Sequence, residues 1–154
     1  MEDDDTDAQA YGRPPEPYPD LWSLDRLVGT REVSGDVRGP VTYEWMEGGS
    51  FLIQHVDLGQ REGQRITGIE IIGPERPFGA EPSADIKSRF YSNTGDTIDY
   101  VYELEGDTLK IWAGESLSPA YFEGTFGADD DTTLTGAWHY PGGGGYEAVS
   151  TRVE

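Results

Sequence analysis

The chain has no cysteine, which excludes disulfides, thiolate nucleophiles and cysteine-based zinc or iron–sulfur sites. It has only two histidines, His55 and His139, so a His-rich metal site is not expected and no metal is assigned. Lysine is almost absent. The 11 basic residues are nine arginines with Lys87 and Lys110, against 30 acidic residues, and the net charge is −19. Such a surface repels phosphate backbones and anionic membranes, so neither nucleic acid nor a membrane is an expected partner. Acid excess with scarce lysine fits a protein that stays soluble in concentrated salt, where screening relieves self-repulsion, although a GC-rich genome gives the same preference for arginine. Long apolar runs are also missing. The longest are Phe51-Leu52-Ile53 and the segment Ile69 to Ile72, which Glu70 interrupts. No membrane-spanning helix is expected, and the opening Met1-Glu2-Asp3-Asp4-Asp5 is the opposite of a basic, apolar signal segment, so the expected location is cytoplasmic.

What is present is a regular series of short strand-like runs separated by turn residues. The first 19 residues read as a disordered acidic tail with Pro14, Pro15, Pro17 and Pro19. Residues 20–154 read as one domain. Leu21, Leu24, Leu27 and Val28 have helical spacing behind Asp20 as a candidate N-cap, and Gly29 stops the helix. About ten strands follow, over Thr30–Val37, Val41–Met46, Phe51–Leu58, Ile66–Gly73, Ile86–Ser92, Thr97–Glu105, Thr108–Ala113, Ala120–Ala128, Thr133–Tyr140 and Tyr146–Val153. Consecutive tight turns favour an up-and-down path, so the expected fold is all-β: a closed antiparallel barrel with one short N-terminal helix closing an end. A barrel of this size encloses one small ligand. Pro74–Ser83 is the long connection, expected as a lid over the barrel mouth or as a plain surface loop.

Alternation assigns faces. Ile98, Tyr100, Tyr102 and Leu104 are expected inward, as are Phe122, Gly124 and Phe126, and Leu134, Gly136, Trp138 and Tyr140. In Phe51–Leu58 the inward set is read as Phe51, Ile53 and His55, which makes His55 the leading candidate for a polar anchor or an acid/base group. His139 is second and is read as outward. Glu44 or Glu70 is a candidate partner for His55 if buried with a raised pKa. Trp45, Phe51, Ile53, His55, Tyr100, Tyr102, Phe122 and Trp138 are the expected ligand-contacting set, with Tyr91 and Trp112 as further aromatic candidates.

Other motifs carry less. Asp129-Asp130-Asp131 lacks the alternating ligands and terminal Glu of a calcium loop. The run Gly142–Gly145 is followed by no helix and no Lys or Ser/Thr, so it does not match a phosphate loop. No nucleophile elbow is visible.

The blocks Glu44-Trp45-Met46-Glu47-Gly48-Gly49-Ser50-Phe51-Leu52-Ile53 and Gly68-Ile69-Glu70-Ile71-Ile72-Gly73 resemble those of a bacterial and archaeal family of uncharacterised, lipocalin-like proteins. So do Phe122-Glu123-Gly124-Thr125-Phe126, Leu134-Thr135-Gly136-Ala137-Trp138 and Ser150-Thr151-Arg152-Val153. The resemblance covers roughly residues 24–154 and implies a calycin-type barrel without an assigned reaction. The neighbouring nitrobindin-like proteins hold haem through a histidine near the C-terminus and open on a Gly-x-Trp-x-Gly pattern. Here Gly29-Thr30-Arg31 lacks the Trp and Tyr146–Val153 has no His. The expected activity is therefore binding of a small hydrophobic or aromatic molecule with no cofactor, by a monomer or homodimer. The alternatives are an isomerase, cyclase or hydrolase using a pocket histidine, a haem protein, and a barrel filled by its own side chains.

Overall fold

The computed structural model describes residues 19–60, 63–127 and 131–153. The acidic tail over 1–18, the turn residues Asp129 and Asp130, and Glu154 lie outside the described residues. A single helical turn α1 (Pro19–Trp22) runs into a 3-10 turn (Ser23–Leu27). Ten strands then follow: β1 (Gly29–Gly35), β2 (Gly39–Trp45), β3 (Leu52–Gly59), β4 (Arg65–Gly73), β5 (Ile86–Ser92), β6 (Thr97–Glu105), β7 (Thr108–Ala113), β8 (Tyr121–Phe126), β9 (Thr133–His139) and β10 (Tyr146–Arg152).

Each strand pairs antiparallel with its neighbour in sequence, and β1 also pairs with β10, Val33 opposite Ser150, so the sheet closes on itself. This is the up-and-down barrel that the strand count and turn spacing predict. Glycine makes the tight reversals. Gly106 at φ +62° turns β6 into β7, and Gly95 at φ +91° turns β5 into β6, a backbone region that side-chain-bearing residues rarely adopt.

Direction fixes the two ends. The helical segment precedes β1, so odd strands run away from it and even strands return to it. Leu21, Leu24 and Leu27 are inserted into that end and are 0–1% exposed. They meet the strand residues nearest to it, Leu52, Ile72, Leu109 and Phe126, none more than 2% exposed. The hydrophobic core therefore fills the capped half of the barrel.

Several polar ties hold the plug. The Trp45 indole N–H donates to Asp25 at 2.8 Å and its ring packs on Trp22 at 4.7 Å. Arg26 pairs with Asp107 at 2.8 Å and Asp131 at 2.9 Å while lying over the Phe126 ring. Arg31, fully buried on the inward face of β1, donates to the Ser150 hydroxyl at 2.7 Å and to the carbonyls of Arg26, Asp131 and Thr132 at 3.1–3.2 Å. Burial lowers its pKa, and nearby Arg152 adds to that effect.

The long connection behaves differently from one of its two readings. Residues 74–85 follow an even strand, so they leave from the capped end and cannot form a lid over the opposite mouth. They fold instead onto the outer face, where Glu75 pairs with Lys87 at 3.1 Å.

Candidate functional site

Above the core the barrel is hollow. A cavity of about 420 Å³ occupies the open half and reaches a rim formed by Val37, Gln60, Thr94 and Asp96, all from turns at the end away from the helix. Barrel diameter grows with strand number, and eight strands leave an interior just wide enough for side chains. Ten strands leave room to spare, which is why the same alternating pattern that packs the capped end does not fill the rest.

The wall is largely apolar and aromatic. Seven rings line it, those of Tyr43, Phe90, Tyr100, Tyr102, Phe122, Trp138 and Tyr146. Trp138 sits centrally among them, 5.8 Å from Tyr100 and 5.6 Å from Phe122. Two inward glycines make this packing fit. Gly124 and Gly136 are register partners, and a Cβ built on either would lie 2.7 Å from the Phe122 ring. Phe122 therefore occupies the space that a side chain at either glycine would need, and it still lines the cavity.

Polar groups sit at both ends of the cavity, Gln60, Thr94 and Asp96 at the rim and Glu70 near the floor. Glu70 lies two residues before Ile72 on β4, on the same inward face, and is 4% exposed. It faces Tyr43 on β2, Gln54 on β3, Ser88 on β5, and Tyr100 and Tyr102 on β6. Its Oε2 accepts from the Ser88 hydroxyl at 2.5 Å and from the Tyr102 hydroxyl at 2.8 Å. Burial raises its pKa, and those two hydrogen bonds oppose the shift without reversing it. Burial, followed by the neighbouring Glu70 carboxyl, also pushes the Tyr43, Tyr100 and Tyr102 phenols up. All three are neutral hydroxyls at any ordinary pH.

Four residues of the expected ligand set, Tyr100, Tyr102, Phe122 and Trp138, line this cavity. The other four do not. On β3 the inward face is Leu52, Gln54, Val56 and Leu58, the reverse of the reading that placed Phe51, Ile53 and His55 inside. Both faces of that strand carry apolar residues, so alternation alone could not choose between them. Ile53 is opposite Ile71 on the outer face, Phe51 packs against Gly73 beside the 74–85 loop, and Trp45 clamps the helical plug.

His55 points outward, 2.7 Å from the Glu44 carboxylate in an exposed pair. His139 is exposed and stacks on Tyr121 at 4.9 Å, on the outside as its parity predicts. Tyr91 is half exposed, and Trp112 is buried on the outer side between Val101 and Tyr121. Glu70 is the buried carboxylate foreseen as a partner for His55, but the sheet separates them: Glu70 is opposite Gln54, while His55 is opposite Ile69.

These placements bear on cofactor chemistry. Neither histidine lines the cavity, so it offers no imidazole to a haem iron. Among the described residues, no cluster of His, Asp and Glu is arranged to hold a metal ion. No described helix is long and apolar enough to cross a membrane.

Fold and site together define a closed ten-stranded up-and-down β-barrel, plugged by a helix at one end and hollow at the other. The chain matches no protein-family model, and no curated protein matches it in sequence.

Proposed function

We propose that this protein binds a small, mainly apolar or aromatic molecule inside the barrel, in the manner of a calycin. The observation that carries the reading is the cavity itself: about 420 Å³, walled largely by aromatic and aliphatic side chains, with Glu70 at the floor and Gln60, Thr94 and Asp96 at the rim. Binding pockets commonly span roughly 300–1,000 Å³ and fix orientation with a few convergent polar groups. A barrel filled by its own side chains would have no such void. Catalysis by a pocket histidine lacks its base, because His55 and His139 both lie outside the wall.

The neutral fluorophore N-phenyl-1-naphthylamine is a suitable probe. Its emission should rise on titration, saturating at one molecule per chain. Ala148→Trp, which places a ring inside the cavity, should weaken binding at least tenfold, and Val56→Phe should act in the same direction from β3. His55→Ala should change affinity less than twofold. Loss of binding in the His55 variant with full binding in both filled variants would place the ligand elsewhere and end the proposal.

The acidity supports a second, physical reading, that the protein works in a salt-rich, cytoplasmic setting. With a net charge of −19, self-repulsion is screened only when the Debye length is short, about 3 Å at 1 M salt against 30 Å at 0.01 M. The melting temperature should climb steadily between those conditions. A midpoint unaffected by salt would refute the halophilic reading.

A further inference from the structure

We propose that the cavity is selective for hydrophobic organic cations, amines whose ammonium group pairs with Glu70 at the floor. The inference rests on the binding reading above and names the ligand's chemistry. It follows from how charge is distributed around the void.

Among the described lining residues the carboxylates are Glu70 and Asp96, and no Lys, Arg or His accompanies them. One carboxylate is at the floor and the other at the rim. Arg31, the buried cation nearest the floor, is not part of the wall, and its guanidinium is already spent on one hydroxyl and three carbonyls. A ligand carboxylate, sulfate or phosphate would therefore enter without a countercharge and meet Glu70. The molecule as a whole, at −19, opposes anions and draws cations towards the mouth.

The floor is built to receive a donor. Both protein donors to Glu70 converge on Oε2, and among the described residues no donor reaches Oε1. Oε1 therefore remains for a group that enters the cavity. An ammonium there donates a charge-assisted hydrogen bond, about twice as strong as a neutral one. Tyr43, Tyr100 and Tyr102, drawn from the strands around the floor, line the same space and add no opposing charge to it. Trp138 and Phe122, nearer the mouth, are left for the ligand's apolar part.

Proton accounting is simple. When Glu70 is protonated in the empty site, a cationic amine enters, the carboxyl O–H bond breaks, and that proton passes to solvent. The bound state is then a carboxylate–ammonium pair. A neutral ligand of the same shape leaves the proton in place. Burial raises the Glu70 pKa, which favours the protonated empty site.

The test uses two probes of nearly equal shape, 2-naphthylmethylamine and 2-naphthalenemethanol, titrated calorimetrically at pH 7 in phosphate and in HEPES. The amine should bind at least tenfold more tightly than the alcohol, with any difference in heat between the buffers confined to the amine. Glu70→Gln keeps the shape but removes the charge and replaces one acceptor oxygen with an NH2 donor. It should lower amine affinity at least tenfold and leave alcohol affinity within threefold. Binding of the alcohol as tightly as the amine, with equal heats in both buffers, would overturn the cation proposal and leave the cavity reading standing. Binding of neither probe would overturn both.

Discussion

Glu70 is the residue on which folding and the proposed function pull in opposite directions. Its carboxyl is buried among Tyr43, Tyr100, Tyr102, Gln54 and Ser88, where ionisation costs desolvation energy that two hydrogen bonds do not recover. A folded-state pKa above the unfolded value, about 4.3, means that the native state holds a proton which the unfolded state releases above that pH. Stability contributed by this group is then greatest below about pH 4 and falls as pH rises towards the folded pKa. Glu70→Gln removes the titration. Urea melts should show the variant gaining on the native protein as pH rises from 4 to 8, with the smallest gap at the acid end. A constant gap across that range would show that Glu70 does not carry the proton assigned to it. The residue was visible in the sequence as a lone acid in the apolar run Ile69 to Ile72, and burial with a raised pKa was the condition attached to it. Its partners were not legible, because Ser88 and Tyr102 lie on two other strands and a chain read singly gives no register.

At the scale of elements, legibility followed contrast between the two faces of each strand. In β6 and β8 the apolar residues fall mostly on one face, Val101 and Tyr121 excepted, and Tyr100, Tyr102, Phe122 and Phe126 face inward. In β3, Phe51, Ile53 and Val56 offered apolar choices on both sides. The deciding information was the packing of Leu52 under the helical plug and of Phe51 against Gly73, both set by tertiary structure. Such a one-residue ambiguity reverses the face of every side chain in the strand, which is how His55 and Gln54 exchanged places.

The pairing of β8 with β9 supplies a test at this scale. A Cβ at Gly136 would stand 2.4 Å from the Glu123 carbonyl oxygen and 2.7 Å from the Phe122 ring. Overpacking of this kind typically costs 1–3 kcal/mol. Gly136→Ala should lower stability by about that amount and weaken binding of N-phenyl-1-naphthylamine, as Phe122 is pushed towards the cavity. A melt within 0.5 kcal/mol of the native protein, about the scatter of neutral surface changes, would show that the close approach is not needed.

For the whole molecule, closure is what turns a row of amphipathic strands into a container. Ten strands paired in sequence leave no free edge once β1 meets β10, and the helical segment seals one end with Leu21, Leu24 and Leu27. Strand count and the short helix were readable from turn spacing and hydrophobic periodicity. Which end stays open was not read, although the direction of the strands decides it, since every loop after an odd strand lies opposite the helix. Of the two readings of Pro74–Ser83, the lid failed on that rule alone. Nuclear Overhauser contacts between N-phenyl-1-naphthylamine and assigned methyl groups of the protein separate a guest inside the barrel from one on its surface. A guest inside should give contacts to Val41, Val56, Ile111 and Ala148, which line the void. Contacts confined to Ile53, Ile69 and Ile71 on the outer face would contradict that placement.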